Sequence, residues 1–225
     1  MQDKEYFKFD AYTITTAVVF VLLCWLVYTI EVRFHFNFNT YGIRPEKLSG
    51  LRGIIFSPFI HADLNHLWSN SIPALVLTTA LFYFYRKISW RVFLFGTLLT
   101  GLLTWTIARP NYHIGASGVI YMLASFLFFK GVFTKHYRLI ALSFIVAFFY
   151  GSMVWYVFPI KDGISWEGHL SGGVVGVVLA IITKNVLPEK RKYVWETEQY
   201  NPEDDAFMRH FDENGNFIER LDEEE

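Results

Sequence analysis

Four residues in three apolar stretches have the types that acyl transfer needs. Ser117 lies in "YHIGASGVIYM", His169 in "SWEGHLSGGVVG", and His66 with Asn70 in "LNHLWSN". A serine hydroxyl is a weak nucleophile until a neighbouring base takes its proton. An imidazole has the pKa range for that role. The tetrahedral oxyanion that follows needs donors already in place. His66 and Asn70 are spaced i, i+4, so a helix presents both on one face, where they could donate together, with the backbone N–H of Ser117 as a further donor. That N–H falls in a first helical turn, where donors lack intrahelical partners. Gly115 and Gly118 flank the serine and permit a tight turn with close substrate approach. No Asp lies near Ser117 or His169 to orient the base. Glu167 is about 200° round a helix from His169 and makes a poor third member, so a Ser-His dyad is the better reading.

The elements that would position these residues are membrane spans. The chain has 225 residues, of which 53% are hydrophobic, 19% aromatic and only 18% charged. Its mean hydropathy is +0.28. This composition is too apolar for an ordinary soluble domain and indicates a multi-pass membrane protein in contact with the lipid bilayer. A spanning helix needs about 20 apolar residues. The charges leave six such segments, at roughly 12–31, 64–85, 90–108, 117–134, 138–158 and 168–187. The fold class is therefore an all-α membrane protein, a six-transmembrane-helix bundle. The first segment has no small-x-small cleavage site after it and reads as a retained span. The aromatic-rich connection 32–63 reads as interfacial.

Charge divides the chain further. Residues 1–188 hold 15 Lys/Arg against 8 Asp/Glu, and residues 189–225 hold 5 against 13. The domains read as a cytoplasmic N-terminal segment 1–11, a six-span catalytic domain 12–187 and an acidic cytoplasmic tail 188–225. Lys4, Lys8, Arg86, Lys87, Arg91, Lys130, Lys135, Arg138 and Lys184 mark one side of the bundle, which places both termini in the cytoplasm. The single cysteine, Cys24, precludes an intrachain disulfide. No basic face emerges, so nucleic acid is not a partner.

Depth brings the candidates together. Counted from the first cytoplasmic charge of each span at about 1.5 Å per residue, Ser117 lies roughly 20 Å in, His169 roughly 22 Å, Asn70 roughly 24 Å and His66 roughly 30 Å. Ser117, His169 and Asn70 share one level, on the order of 10 Å below the outer face of a hydrocarbon core about 30 Å thick. Non-helical backbone at that depth must line a cavity or be buried in protein. Gly168, Gly172, Gly176 and Ala180 recur every fourth residue of the last span and form a small-residue face that lets another helix approach. Each residue also has a plain structural reading. Ser117 could cap a helix, His169 could be a satisfied buried histidine, and Asn70 could hold helices together.

Taken together, the motifs resemble the rhomboid family of intramembrane serine proteases in its basic six-helix form. Gly115-Ala116-Ser117-Gly118 matches the family's Gly-x-Ser-Gly motif. His61, His66 and Asn70 match its His-x4-His-x3-Asn pattern, and Gly168-His169 with Gly172 and Gly176 its last span. The resemblance covers residues 12 to 187. It implies Ser117 as nucleophile, His169 as general base, and His66, Asn70 and the Ser117 N–H as oxyanion hole. Tyr121 would stack on the base, and His61 would be structural. In the first loop Leu51-Arg52 stands where the family usually has Trp-Arg. The partners implied are transmembrane protein substrates whose helix unwinds near the outer face, with no metal or organic cofactor. The implied location is a bacterial inner membrane. Two other readings are a rhomboid pseudoprotease and a small transporter lined by His66, Asn70 and His169.

Overall fold

The computed structural model describes residues 9–160, 163–184, 193–212 and 214–218. The described part of the first 186 residues is helical, with seven α-helices and no strand among the described residues. They are α1 (Ala11–Phe34), the single turn α2 (Gly53–Phe56), α3 (Leu64–Phe84), α4 (Ser89–Ile107), α5 (Ser117–Thr134), α6 (Tyr137–Tyr150) and α7 (Trp166–Ile182). Among the described residues, five helical segments are long and apolar enough to cross a membrane: α1, α3, α4, α5, and α6 together with its 3-10 continuation to Val157. The last helix, α7, is equally apolar but has 17 residues. The all-helical bundle expected from the six apolar segments is what the chain forms. Expected residues 185–187 of the last span, 1–8 of the N-terminal segment and several tail residues lie outside those described.

Local chemistry sets the ends. The Asp10 carboxylate accepts from Thr13 N–H at 3.2 Å, and the Thr13 hydroxyl faces Asp10 N–H at 3.4 Å, a reciprocal cap for α1. The helix stops at His35, whose φ of 56° is left-handed. The Asp63 side chain caps α3 through His66 N–H at 2.9 Å, which puts His66 in the first turn and Asn70 one turn further. Ser165 caps α7 by accepting from Gly168 N–H at 3.3 Å. The α-helix of the fifth span gives way to a 3-10 stretch, Gly151–Val157. Pro73 sits inside α3 without ending it.

Lipid tails are as apolar as leucine, so close packing rather than burial must join helices in a membrane. Helices α5 and α7 approach closely. A Cβ on Gly172 would stand 2.2 Å from the Gly118 carbonyl oxygen, and one on Gly176 would stand 2.4 Å from that of Met122. Phe82, Met122, Leu123, Phe126 and Leu127 fill the interior, whereas Leu22, Leu26, Phe144 and Phe148 stay exposed on the outside of α1 and α6. Exposed apolar side chains on that scale suit a hydrocarbon solvent.

The connection between α1 and α3 holds three 3-10 segments, Asn39–Tyr41, Leu48–Arg52 and Ser57–Phe59, with α2 between the last two. Arg52 organises it. Its guanidinium lies over the Tyr41 ring at 4.3 Å and donates to the Thr40 carbonyl at 2.9 Å. The described residues from Tyr193 onward belong to a separate compact unit. In it Phe211 and Phe217 bridge, and Asp212 accepts from the backbone of Asn214 and Asn216.

Candidate active site

The serine loop is shaped before the helix begins. Gly115 has a φ of +105°, a conformation side chains rarely adopt, and its N–H donates to the Ser57 carbonyl at 2.9 Å. Ala116 N–H faces His61 Nε2 at 3.4 Å, while His61 Nδ1 faces the Phe59 carbonyl at 3.3 Å. The carbonyl accepts only, so Nδ1 carries the proton and Nε2 is free to accept. His61 thereby ties the first loop to the serine loop. Burial, then the charge of nearby His66, pushes its pKa down to about 4. Ser117 follows as the first residue of α5.

Across the glycine face, His169 Nε2 lies 3.0 Å from Ser117 Oγ. His169 Nδ1 lies 2.9 Å from the Tyr156 carbonyl oxygen, in the 3-10 stretch after α6. That carbonyl can only accept, so the neutral ring carries its proton on Nδ1 and turns the Nε2 lone pair toward Ser117. The Tyr121 ring stacks on the imidazole with centroids 4.2 Å apart and planes 6° from parallel. The Tyr121 hydroxyl donates to the Met153 carbonyl at 2.7 Å. The imidazole is thus held by one face, one edge and its partner serine, and it is 7% exposed.

His66 and Asn70 converge on Gly115, two residues before Ser117. A Cβ on Gly115 would stand 2.7 Å from His66 Nε2 and 3.6 Å from Asn70 Nδ2. Asn70 is buried, and its Nδ2 donor has no partner among the described residues. A buried donor left unpaired costs free energy, and such groups in native structures usually have a task. A cavity of ≈ 30 Å³ lies against Ser117, lined by Ser57, Thr97, Thr100, Thr104, His113 and Ser165 among others. It has room for about one water molecule, and its lining offers enough polar groups to hold one.

All ten residues singled out from sequence therefore fall in one region. Ser117, His169, Tyr121, Gly118 and Gly172 meet at the α5–α7 contact, with Gly176 one turn below. Gly115, His66, Asn70 and His61 surround the serine loop. The Tyr156 and Met153 carbonyls join the site from a stretch whose apolar sequence reads as plain span. Glu167 pairs with Arg109, Nε to Oε1 at 2.7 Å, and His113 meets Ser165 at 2.6 Å.

A bundle of lipid-compatible helices around a buried polar site defines an integral membrane protein. The family model described as Rhomboid domain matches residues 49–185. The chain belongs to the rhomboid family, made up chiefly of intramembrane serine proteases. Similar proteins include the uncharacterized protein Rv1337 of Mycobacterium tuberculosis and the uncharacterized protein Mb1372 of Mycobacterium bovis. Each is 37% identical over 193 residues, covering 79% of this chain and 77% of the relative. The uncharacterized protein ML1171 of Mycobacterium leprae is 36% identical over 190 residues, 78% of this chain and 72% of its own.

Proposed function

We propose that this protein is an intramembrane serine endopeptidase that cleaves transmembrane segments of membrane proteins through a Ser117–His169 dyad. The observation that carries the reading is the 3.0 Å approach of Ser117 Oγ to a His169 ring whose other nitrogen is committed to a backbone carbonyl. In the first half-reaction Oγ attacks the scissile carbonyl carbon while its proton passes to His169 Nε2. The oxyanion is received by Asn70 Nδ2, the His66 side chain and the Ser117 N–H. Collapse of the intermediate breaks the C–N bond, and the imidazolium returns the proton to the leaving amine. Water then attacks the acyl ester, giving its proton to His169, and the ester breaks with the proton returned to Ser117 Oγ. No step calls for a metal or an organic cofactor.

A helical substrate hides its carbonyls in i to i−4 hydrogen bonds, so the scissile segment must unwind before Ser117 can reach it. Substrates with small or helix-breaking residues near the outer membrane face fit this demand. The Lys/Arg bias orients the site toward the outer side, with both termini in the cytoplasm, and a bacterial inner membrane is the location that suits the chain. A fluorophosphonate that esterifies active serines tests the chemistry. Mass spectrometry should find the adduct on Ser117 and lose it in His169→Ala. An unmodified Ser117 in folded protein contradicts the reading.

A further inference from the structure

Ser117 and His169 sit on helices that meet through a smooth glycine face. A face of backbone against backbone permits close contact, yet lacks the interlocking side chains that fix how far one helix slides along the other. Polar pins must supply that register. The far end of α7 has one, because Lys130 Nζ of α5 donates to the Ala180 carbonyl at 3.2 Å and to that of Thr183. The middle has another, Ser125 Oγ to the Gly173 carbonyl at 2.8 Å.

The near end carries a directed chain of hydrogen bonds outside the reacting groups. His113 Nε2 lies 2.9 Å from the Arg109 carbonyl, which only accepts, so Nε2 bears the proton and Nδ1 accepts. Ser165 Oγ–H donates to that Nδ1 at 2.6 Å. Ser165 Oγ in turn accepts from Gly168 N–H at 3.3 Å, in the first turn of α7. His113 stands four residues before Ser117, and Ser165 four before His169. One side-chain contact therefore joins the two loops that deliver the two reacting side chains.

Two further links stiffen the joint. His113 exchanges both backbone hydrogen bonds with Ile43 of the first loop, at 2.8 and 3.0 Å. Glu167 is 1% exposed and its carboxylate is neutralised by Arg109 Nε at 2.7 Å, with the Arg109 N–H at 3.3 Å. The same guanidinium donates to the Ile164 carbonyl at 3.0 Å. A buried carboxylate held this way is expensive to displace, which braces the start of α7 against the end of α4.

We propose that His113 and Ser165, braced by the Arg109–Glu167 pair, are positioning residues that set the Ser117–His169 separation. This rests on the protease reading above. A misplacement on the order of 1 Å between reacting groups can cost about a hundredfold in rate. Loss of the link should act on turnover rather than on substrate affinity.

The test compares Ser165→Ala, His113→Ala, the double variant and Ser165→Thr in proteoliposomes with a transmembrane reporter. Ser165→Ala should lower kcat about 10- to 100-fold with KM within about twofold, and Ser165→Thr, which keeps the hydroxyl, should restore most of it. The double variant should be no slower than the worse single one, because both break one link. Unchanged kcat in Ser165→Ala, additive losses, or no rescue by Ser165→Thr would overturn the proposal. A crystal structure of Ser165→Ala separates this claim from the protease reading. The Ser117–His169 distance should open beyond about 3.5 Å whether or not the wild type cleaves a reporter, and an unchanged distance overturns the positioning role.

Discussion

The Tyr121 ring and the His169 imidazole lie parallel to within 6° at 4.2 Å, so one face of the base is covered by an aromatic plane four residues beyond the serine. The tyrosine hydroxyl is tied to Met153 and takes no part in that stack. Tyr121→Phe should therefore keep most activity, while Tyr121→Leu should lower kcat by about tenfold or more through loss of imidazole orientation. Steady-state cleavage of a reporter by the two variants checks this. Equal losses in both would assign the effect to the hydroxyl instead.

Asn70 should affect activity and stability differently. Its Nδ2 is buried and unpaired, so truncation removes a desolvated donor and forfeits no existing bond. Asn70→Ala should leave the melting temperature unchanged or raise stability by up to about 1 kcal/mol. Its kcat should fall about 10²- to 10³-fold, the usual cost of one oxyanion donor. A thermal melt beside a cleavage assay on the same sample reads both. A large destabilisation would make Asn70 interhelical glue.

The α5–α7 contact predicts a contrast between neighbouring glycines. Gly172→Ala places a methyl 2.2 Å from the Gly118 carbonyl oxygen, a backbone atom that cannot swing away. Overpacking of this kind costs about 1–3 kcal/mol and should part the helices that carry Ser117 and His169. Gly173→Ala meets nothing within 4 Å and should be close to neutral. Melting temperature and activity of the pair decide it, and equal behaviour would contradict the close contact.

His61 predicts a pH signature. Its folded pKa, about 4, is below the ordinary value of 6.5, so folding favours the neutral ring that accepts from Ala116 N–H. Its contribution is complete above about pH 6.5 and is lost as pH falls through that value toward 4. Protonating the buried ring costs the fold stability on the order of 3 kcal/mol at low pH relative to neutral pH. His61→Gln should lower stability at pH 7 and lose less of it on acidification. Denaturation curves of both proteins at pH 7 and pH 4 show whether the difference between them shrinks.

Much of this architecture can be read from sequence, for identifiable reasons. Charged residues interrupt the apolar segments cleanly, and the helix rise puts Ser117, His169 and Asn70 at one level without any structure. The glycine repeat marks which face of α7 is approached. What could not be read depends on contacts between distant residues or on aperiodic backbone. The first loop alternates short 3-10 and α turns, which carry no hydrophobic period. The carbonyls of Met153 and Tyr156 belong to a stretch as apolar as a span, and only its 3-10 winding turns them toward Tyr121 and His169. The angle between Glu167 and His169 on one helix says nothing of Arg109, the partner of Glu167 58 residues away. Lys130 reads from sequence as a marker of the membrane edge, yet it is 3% exposed and donates to the carbonyls at the end of α7.

The central claim is that Ser117 and His169 together hydrolyse a peptide bond within a membrane. Purified protein in liposomes with a reporter transmembrane substrate tests it, with wild type, Ser117→Ala and His169→Ala compared at matched folding and incorporation. The account predicts cleavage by the wild type near the outer face and none by either variant. Cleavage that survives in Ser117→Ala would contradict it and leave Ser117 a helix-packing residue.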